Sequence, residues 1–253
     1  MITWIRPEPH DLIWGSCDTE PWFTNPRKER IAEVWFPSGD LLIKFLFTSE
    51  NLSVQVHPND EQAQRVGKPR GKTEMWHILR AQPGARIALG LNRAITPEEL
   101  RKASLDGSIV ELLNWIPVQA GQTFYTPAGT IHAIGAGIAL CEIQQRSDIT
   151  YRLYDWGRGR ELHLDQGVDV SHLEPAGEAA VAFPVISPHF TTKCFELRGN
   201  SENFRCQSAA VIGIRGTASI NDSPFQPGDV IRIEDEEITR LRGTDATVLL
   251  TLA

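Results

Sequence analysis

The segment at residues 121–132, GQTFYTPAGTIH, constrains the fold of this chain more than any other. Its pattern predicts two strands joined by a turn, and Pro127 and Gly129 make the turn. One histidine, His132, lies on the second strand. The first expectation is therefore a β scaffold that carries a histidine beside a tight turn.

A second strand pattern occurs at residues 52–57, LSVQVH. Alternation along a strand places Ser53, Gln55 and His57 on one face and the apolar residues on the other. The apolar face must cover a core, so the polar face is predicted to line a cavity; a solvent-facing strand edge is the open alternative. Two imidazoles, an amide and a nearby carboxylate form a plausible set of divalent-metal ligands: Gln55, His57, Glu74 and His132.

Two further strands extend the predicted polar surface. At residues 72–79, Lys72, Glu74 and Trp76 share one face if the strand begins by Lys72. His77 points away from them, so we expect it to be packed or hydrogen-bonded rather than a ligand. At residues 141–146 the same alternation predicts a polar row formed by Glu142, Gln144 and Arg146.

The composition favours a globular protein of the cytoplasm. The 253 residues suit one large β domain, or one domain with a smaller appendage. No apolar run approaches the ~20 residues of a membrane helix, and the first residues lack a signal-peptide core. The four cysteines are scattered, which fits a reducing compartment, and Cys141 falls on an apolar face as a small core residue. The formal charge of −7 argues against a nucleic-acid partner.

Two cationic features each allow two interpretations. The basic run at residues 65–72 is expected to be a solvated loop, although a few local cations can also hold one phosphate. Arg152 is in phase with Thr150 and Tyr154 on a short strand. A lone arginine is usually a surface residue, but a guanidinium beside a metal is suited to binding phosphate or stabilising an oxyanion.

Turn and capping signals divide the chain into strands with one helical insertion. Residues 96–99, TPEE, form a capping box that opens a helix, which Gly107 ends. A second box at residues 108–111 opens a helix that stops before Pro117. Residues 173–190 hold three prolines and predict a connection, after which strands follow without another histidine. The chain is thus predicted to be mainly β, a barrel or sandwich, with a larger N-terminal and a smaller C-terminal part.

With these residues in view, the chain resembles the type I mannose-6-phosphate isomerases, especially their short bacterial branch. The resemblance covers about residues 10–175. It rests on four segments in the family's order and spacing: NLSVQVHPND (51–60), GKTEMWHIL (71–79), FYTPAGTIHAIG (124–135) and CEIQQRSDITYRLYDWGR (141–158).

The resemblance implies a mainly β fold, a double-stranded β-helix of the cupin superfamily (a jelly roll). A small helical insertion is expected at about residues 96–115. The metal-binding catalytic cupin domain is expected at residues 1–178. A second, ligand-free cupin-like module, all β, is expected at residues 185–253.

By the same resemblance, one zinc ion per chain is held by Gln55, His57, Glu74 and His132. Arg152 matches the family's catalytic arginine, and Asp148 matches a proposed acid/base group. Glu142 matches a carboxylate of the pocket, and Lys72 a lysine near the substrate. Ser53 matches a serine associated with phosphate binding. The expected catalytic set is Arg152, Asp148, Glu142 and Lys72, and the expected substrate-binding set is Ser53, Lys72 and Arg152.

The implied activity is the interconversion of mannose 6-phosphate and fructose 6-phosphate, by proton transfer between C1 and C2 through a cis-enediol. Zinc is expected to polarise sugar oxygens, and a carboxylate or lysine of the catalytic set to move the proton. The expected partner is a small sugar phosphate, with neither nucleic acid nor membrane, and the chain is expected to be a monomer or homodimer. The rival functions are an isomerase of another sugar phosphate, a metal-dependent dioxygenase and a non-catalytic sugar-binding cupin.

Overall fold

The computed structural model describes residues 1–177 and 180–253, except for the side chains of residues 236–238. The helices in this part of the chain are α1 (Asp60–Arg65), α2 (Pro97–Asp106), α3 (Ile109–Leu112) and α4 (Leu164–Val170). The strands are β1 (Ile2–Trp4), β2 (Glu8–His10), β3 (Glu33–Ser38), β4 (Leu41–Phe47), β5 (Val54–Val56), β6 (Glu74–Ala81), β7 (Arg86–Leu91), β8 (Leu113–Pro117), β9 (Thr123–Thr126), β10 (His132–Ile134), β11 (Ile138–Gln145), β12 (Tyr151–Tyr154), β13 (Val185–Ile186), β14 (Thr191–Leu197), β15 (Ser201–Arg215), β16 (Ala218–Ile220), β17 (Ser223–Phe225), β18 (Val230–Gly243) and β19 (Ala246–Leu252).

The strands form three antiparallel sheets. A six-stranded sheet has the order β2-β3-β4-β11-β6-β9, and a five-stranded sheet has the order β12-β5-β10-β7-β8. These two sheets face each other and enclose a barrel interior. An eight-stranded sheet follows in the C-terminal part, in the order β13-β14-β19-β15-β18-β16-β17, with β1 added on β18. The predicted mainly β fold is confirmed.

Alternation along the strands of the six-stranded sheet separates two environments. On β11, Leu140 and Glu142 face the barrel interior, whereas Cys141 and Ile143 belong to a cluster on the outer face. The interior is apolar at one end, where Trp76 and its neighbours pack, and polar at the other. The prediction of Cys141 as a core residue is confirmed, since it is fully buried and unpaired.

The outer face of the six-stranded sheet packs against the C-terminal sheet. Ile43 and Phe45 of β4 share one buried cluster with Ile212 of β15 and Leu249 of β19. The outer face of the five-stranded sheet is covered instead by the helices, with Val56 and Leu100 in one cluster. The barrel is therefore covered on both faces, and the C-terminal sheet shares a core with it.

Of the two helices predicted in the helical insertion, only the first is fully confirmed. Thr96 Oγ1 accepts a hydrogen bond from Glu99 N, and Gly107 (φ 84°) ends α2 in the left-handed conformation. The predicted second helix is wrong beyond its first turn. Ser108 makes no side-chain cap, and the residues of β8 pair with β7. Sheet pairing therefore overrides the local helical signal.

The structure also contains two helices that the sequence analysis did not predict, α1 and α4. A reciprocal capping box of Asn59 and Gln62 opens α1. The strands predicted after the connection include one long strand, β15, of 15 residues. The predicted connection at 173–190 includes residues 178 and 179, and the predicted domain boundary at residue 178 likewise lies outside the described residues. The division into two domains stays a prediction.

Within the described part of the chain, no helix combines the length and the apolar character needed to cross a membrane.

The shared core can be tested by truncation. Ile43→Ala and Ile212→Ala each remove a fully buried side chain, and we expect each to lower the free energy of unfolding by about 2–5 kcal/mol. Because both residues lie in one cluster, both variants should shift the same transition in urea, followed by tryptophan fluorescence and circular dichroism. Ile186→Ala is the control, since Ile186 is exposed and should change stability by less than about 0.5 kcal/mol. Two transitions, each shifted by one variant only, would show separate cores.

Candidate metal centre and active site

Three buried side chains meet at the polar end of the barrel interior: His57, Glu74 and His132. His57 follows β5, Glu74 begins β6 and His132 begins β10, so the positions of all three depend on strand pairing. Glu74 Oε1 lies 3.4 Å from His57 Nε2, and Glu74 Oε2 lies 3.9 Å from His132 Nε2. Zinc bonds of about 2.0–2.2 Å place neighbouring ligand atoms roughly 3–4 Å apart. The observed spacing is close to that of a shared ion.

Backbone carbonyls orient both imidazoles. His57 Nδ1 lies 2.8 Å from the oxygen of Ile149, and His132 Nδ1 lies 2.9 Å from the oxygen of Thr130. A carbonyl oxygen only accepts hydrogen bonds, so Nδ1 carries the proton in each ring. Each Nε2 therefore directs a lone pair toward Glu74, which is the orientation found in metal-binding histidines.

The charge states of the three clustered side chains are suited to binding a cation. Burial, reinforced by the charge of Lys72, lowers the pKa of His57 to about 3, and burial lowers the pKa of His132. Both rings are thus neutral ligands at neutral pH. Burial alone would raise the pKa of Glu74, but the charge of Lys72 holds it well below its usual value. The site combines an ionised carboxylate with two neutral imidazoles.

Glu74 also has an oxygen without a partner. Its Oε2 atom is buried and receives no hydrogen bond from any residue that the structure describes. A buried carboxylate oxygen is rarely left unpaired, because desolvating it is costly. A divalent cation bound between the two Nε2 atoms would complete the shell of this oxygen, so the residues present fit a metal ion.

Gln55 and Ser53 lie beside this cluster. The Gln55 amide nitrogen is 3.3 Å from His132 Nε2, and the Gln55 oxygen accepts a hydrogen bond from Ser53 Oγ over 3.3 Å. A cation is bound by the amide oxygen, so Gln55 would bind it after a half-turn of its amide group. The polar face predicted for residues 53–57 is present, while Leu52 packs inside the barrel rather than with Val54, because β5 begins only at Val54.

Lys72 is part of the same buried group. Its Nζ lies 2.6 Å from Glu74 Oε1 and 3.1 Å from His57 Nε2, and the side chain is almost fully buried. The expectation of a solvated loop at residues 65–72 is therefore wrong at its last residue. Lys72 lies two residues before Glu74, just ahead of β6, and its side chain turns to the same side as Glu74.

Glu142 is held in a second buried ionic group that the sequence analysis missed. Its Oε1 lies 3.2 Å from Lys44 Nζ, and its Oε2 accepts a hydrogen bond from Trp76 Nε1. Lys44 also lies 3.6 Å from Glu33. Burial lowers the pKa of Lys44, but the two carboxylates raise it above its ordinary value. The available signal was a single lysine inside the apolar strand at 41–47, LLIKFLF.

Arg152 lies on the edge strand β12, directly opposite Gln55 in the register of the sheet. Its Nη1 donates to the oxygen of Glu161 over 2.7 Å. Its Nε is buried and has no hydrogen-bond partner in the described chain. This guanidinium therefore retains an unused donor on the sheet that carries two of the three clustered residues.

Asp148 is not brought into the cluster. Its side chain is exposed and faces Lys68, whose Nζ lies 3.5 Å away. Asp148 follows the end of β11 and precedes β12, so no sheet hydrogen bond holds it against the interior. His77 fulfils its prediction: it is buried, its Nδ1 lies 2.9 Å from Thr123 Oγ1, and burial lowers its pKa to about 4.

The turn before His132 needs its glycine. Gly129 has a φ of 87°, and a Cβ atom at this position would lie 2.5 Å from His172 Nε2. Its amide donates to the oxygen of His57 over 2.8 Å, which ties the turn to a second clustered residue. Any larger residue would strain the turn that positions both imidazoles, because L side chains rarely adopt this φ.

Taken together, the facing sheets and the buried cluster define a cupin-like protein with a candidate metal centre in its barrel. Sequence comparison with curated proteins supports the resemblance stated above. The chain is 41% identical over 176 residues to a mannose-6-phosphate isomerase of Streptococcus mutans, covering 63% of this chain and 55% of that protein. It is 48% identical over 137 residues to the mannose-6-phosphate isomerase ManA of Bacillus subtilis, covering 51% of this chain and 43% of that protein. The chain is therefore similar to mannose-6-phosphate isomerases over the aligned residues, as its sequence motifs predicted.

Solved structures extend the likeness over the whole fold. A mannose 6-phosphate isomerase from Bacillus subtilis superposes with a TM-score of 0.86 at 23% identity, covering 99% of both chains. A mutant of phosphomannose isomerase from Salmonella typhimurium gives a TM-score of 0.81 at 16% identity, covering 99% of both chains. At these identities the likeness shows the fold alone. The alignments to the curated relatives span about half of those proteins' length, and no protein-family model matches the chain.

Metal binding should depend on the clustered residues. We expect His57→Ala, Glu74→Gln and His132→Ala each to weaken zinc binding by at least about 100-fold, because each alanine removes an imidazole ligand and the glutamine removes the carboxylate charge. Isothermal titration with zinc and metal analysis of the purified variants measure this. His77→Ala is the matched control, since it removes a buried histidine that points away from the site. Equal loss of zinc in the control would show that the effect comes from damage to the barrel.

The second ionic group should behave as a coupled pair. Lys44→Met leaves Glu142 buried without its cation, and we expect the free energy of unfolding to fall by about 3–5 kcal/mol. The double variant Lys44→Met with Glu142→Gln should be more stable than Lys44→Met alone, because it also removes the unpaired charge. Chemical denaturation of the two single variants and the double variant gives the coupling energy. Additive losses would mean that the two side chains do not interact.

Proposed function

We propose that this chain is a metal-dependent mannose-6-phosphate isomerase that interconverts mannose 6-phosphate and fructose 6-phosphate. The observation that carries the proposal is the buried cluster of His57, Glu74 and His132, with Lys72 beside it, in a chain similar to mannose-6-phosphate isomerases. The proposed ion is zinc, one per chain, which fits two nitrogen ligands and a carboxylate. Gln55 is proposed as its fourth ligand, by the half-turn of its amide described above.

The active site must meet three requirements of the proposed reaction. A proton must leave C2 of the aldose and reach C1 of the ketose, negative charge on the enediol oxygens must be stabilised, and the phosphate must be anchored. The bound metal supplies the polarisation of the sugar oxygens that makes the C2 proton acidic. The side chains of the protein transfer the proton, stabilise the negative charge and bind the phosphate.

Lys72 and Glu142 are the proposed proton carriers. Lys72 supports this role because its ammonium group lies within 3.1 Å of the candidate ligand atoms, so a sugar bound at the metal is within its reach. Glu142 is buried inside the same barrel, and burial and the charge of Glu74 raise its pKa, which favours proton exchange. Asp148 is the weaker candidate of the three, since its exposed carboxylate faces Lys68.

Arg152 is the proposed group for developing negative charge. Its unpaired Nε can donate to an oxyanion of the enediol or to a phosphate oxygen, and guanidinium suits both. Ser53, Lys72 and Arg152 form the proposed substrate-binding set. A small sugar phosphate is the proposed substrate.

A coupled assay tests the activity. Purified protein should form fructose 6-phosphate from mannose 6-phosphate, lose this turnover with a chelator, and regain it with added zinc. Zinc-replete protein without turnover would contradict the proposal. Binding of mannose 6-phosphate without turnover would then indicate a non-catalytic sugar-binding cupin. Turnover of another aldose phosphate would indicate a different isomerase. Iron in the protein with oxygen uptake would indicate a dioxygenase.

The arginine is tested in the same assay. We expect Arg152→Ala to lower kcat by at least about 100-fold, the size measured for the loss of one donor to an oxyanion. Arg93→Ala is the control, since Arg93 pairs with Glu99 on the surface and lies outside the barrel. Near-normal turnover in Arg152→Ala would remove the arginine from the mechanism.

A further inference from the structure

The backbone of Arg152 is held by a return segment at residues 161–163. Arg152 N donates to His163 Nδ1 over 3.1 Å, and His163 N donates to the oxygen of Arg152 over 2.8 Å. Arg152 Nη1 also binds the oxygen of Glu161. One edge of β12 pairs with β5, and this segment covers the other edge. The direction of the guanidinium is therefore set by where the return segment lies.

Between β12 and the return segment, residues 155–160 form neither a helix nor a strand. Gly157 and Gly159 both have a φ of 76°, and no atom lies within 4 Å of a Cβ built at either one. A segment with two such glycines is flexible unless side chains fix it. Whatever fixes it also fixes Arg152.

Asp155 is the anchor of this segment. It is 3% exposed, and Arg160 binds it through two hydrogen bonds, of 2.8 Å from Nε and 2.5 Å from Nη2. Arg158 lies 3.2 Å from the same carboxylate. Burial alone would raise the pKa of Asp155, but the bonds from Arg160 and the charge of Arg158 lower it, so the carboxylate is ionised.

Two residues close to Asp155 in the sequence also bond to the segment that precedes β5. Arg158 Nη2 donates to the oxygen of Asn51 over 2.8 Å, and Trp156 Nε1 donates to the oxygen of Leu52 over 2.6 Å. These residues directly precede the polar row that begins at Ser53. One buried carboxylate thus connects the return segment and the start of that row.

We propose that Asp155 is a positioning residue that aims Arg152 at the substrate by fixing the return segment through Arg160. It makes no contact with substrate in this scheme. Without the Arg160 bonds the segment at 156–163 loosens, the Glu161 oxygen moves, and the Arg152 guanidinium loses its direction. The inference rests on the proposed function for its kinetic consequence, but its structural consequence is independent of it.

The kinetic test uses Asp155→Asn, which keeps the shape of the side chain and removes its charge. We expect kcat/KM for mannose 6-phosphate to fall about 10- to 100-fold, the loss that a misplaced catalytic group produces. Zinc content should stay at the wild-type value. Asp165→Asn is the matched control, since Asp165 also pairs with an arginine, Arg101 at 2.6 Å, but on the surface between α2 and α4. Its kcat/KM should remain within about twofold of wild type.

A double-variant cycle separates positioning from general damage. If Asp155 acts through Arg152, adding Asp155→Asn to Arg152→Ala should lower kcat/KM by less than about twofold. An additive loss, or full activity in folded Asp155→Asn, would overturn the proposal. Should Asp155→Asn fail to fold, Arg160→Gln removes the guanidinium that donates both hydrogen bonds, at the partly exposed partner, and the same outcomes apply.

A crystal structure of Asp155→Asn, or of Arg160→Gln, decides the structural claim whatever the activity. We expect the bond from Arg152 Nη1 to the Glu161 oxygen to be lost and the guanidinium to be displaced or spread over several positions. An unchanged Arg152 in the variant would overturn the proposal. Wild-type protein without isomerase activity would contradict the proposed function, while the variant structure would still decide whether Asp155 positions the arginine.

Discussion

The ionised carboxylate of Glu74 inside a β barrel is the constraint on which the site depends. An ionised group without partners is very costly to bury, and Glu74 is fully buried. The ammonium group of Lys72 compensates its charge, and the imidazoles of His57 and His132 lie on either side of it. Because these groups sit on or next to different strands, they meet only when β5 and β10 pair in register in one sheet and β6 is in register with β11 in the facing sheet. The register of the sheets and the chemistry of the site therefore depend on each other.

The six-stranded sheet can carry this charge because its two faces are used differently. Its inner face holds Glu74, Lys44 and Glu142, while its outer face is apolar and packs on the C-terminal sheet. Without that sheet, Ile43 and Phe45 would form part of a large exposed apolar patch. The C-terminal sheet thus supports the strands that carry the site, and the helices give the same cover to the five-stranded sheet.

Strand alternation predicted much of the site because it is a local property. The faces of Gln55 and His57, and of Glu74 against His77, follow from the period of two alone. The ion pair of Lys44 with Glu142 could not be predicted in this way, since it joins strands far apart in sequence. For the same reason the signal for a helix at 108–116 failed, because pairing of β8 with β7 outweighs a capping pattern. Asp148 was placed by resemblance, and no periodicity constrains a loop residue.

The parts of the site differ in how firmly they are held. The three clustered residues lie at or next to strand ends inside two covered sheets, so strand pairing places their backbones. Arg152 lies on the edge strand of its sheet, where one side of the backbone has no strand partner. A guanidinium must be aimed to stabilise charge at one atom, because its donors act along fixed directions. An edge position therefore requires a second anchor, and the ion pair of buried Asp155 with Arg160 meets that requirement beyond the end of the strand.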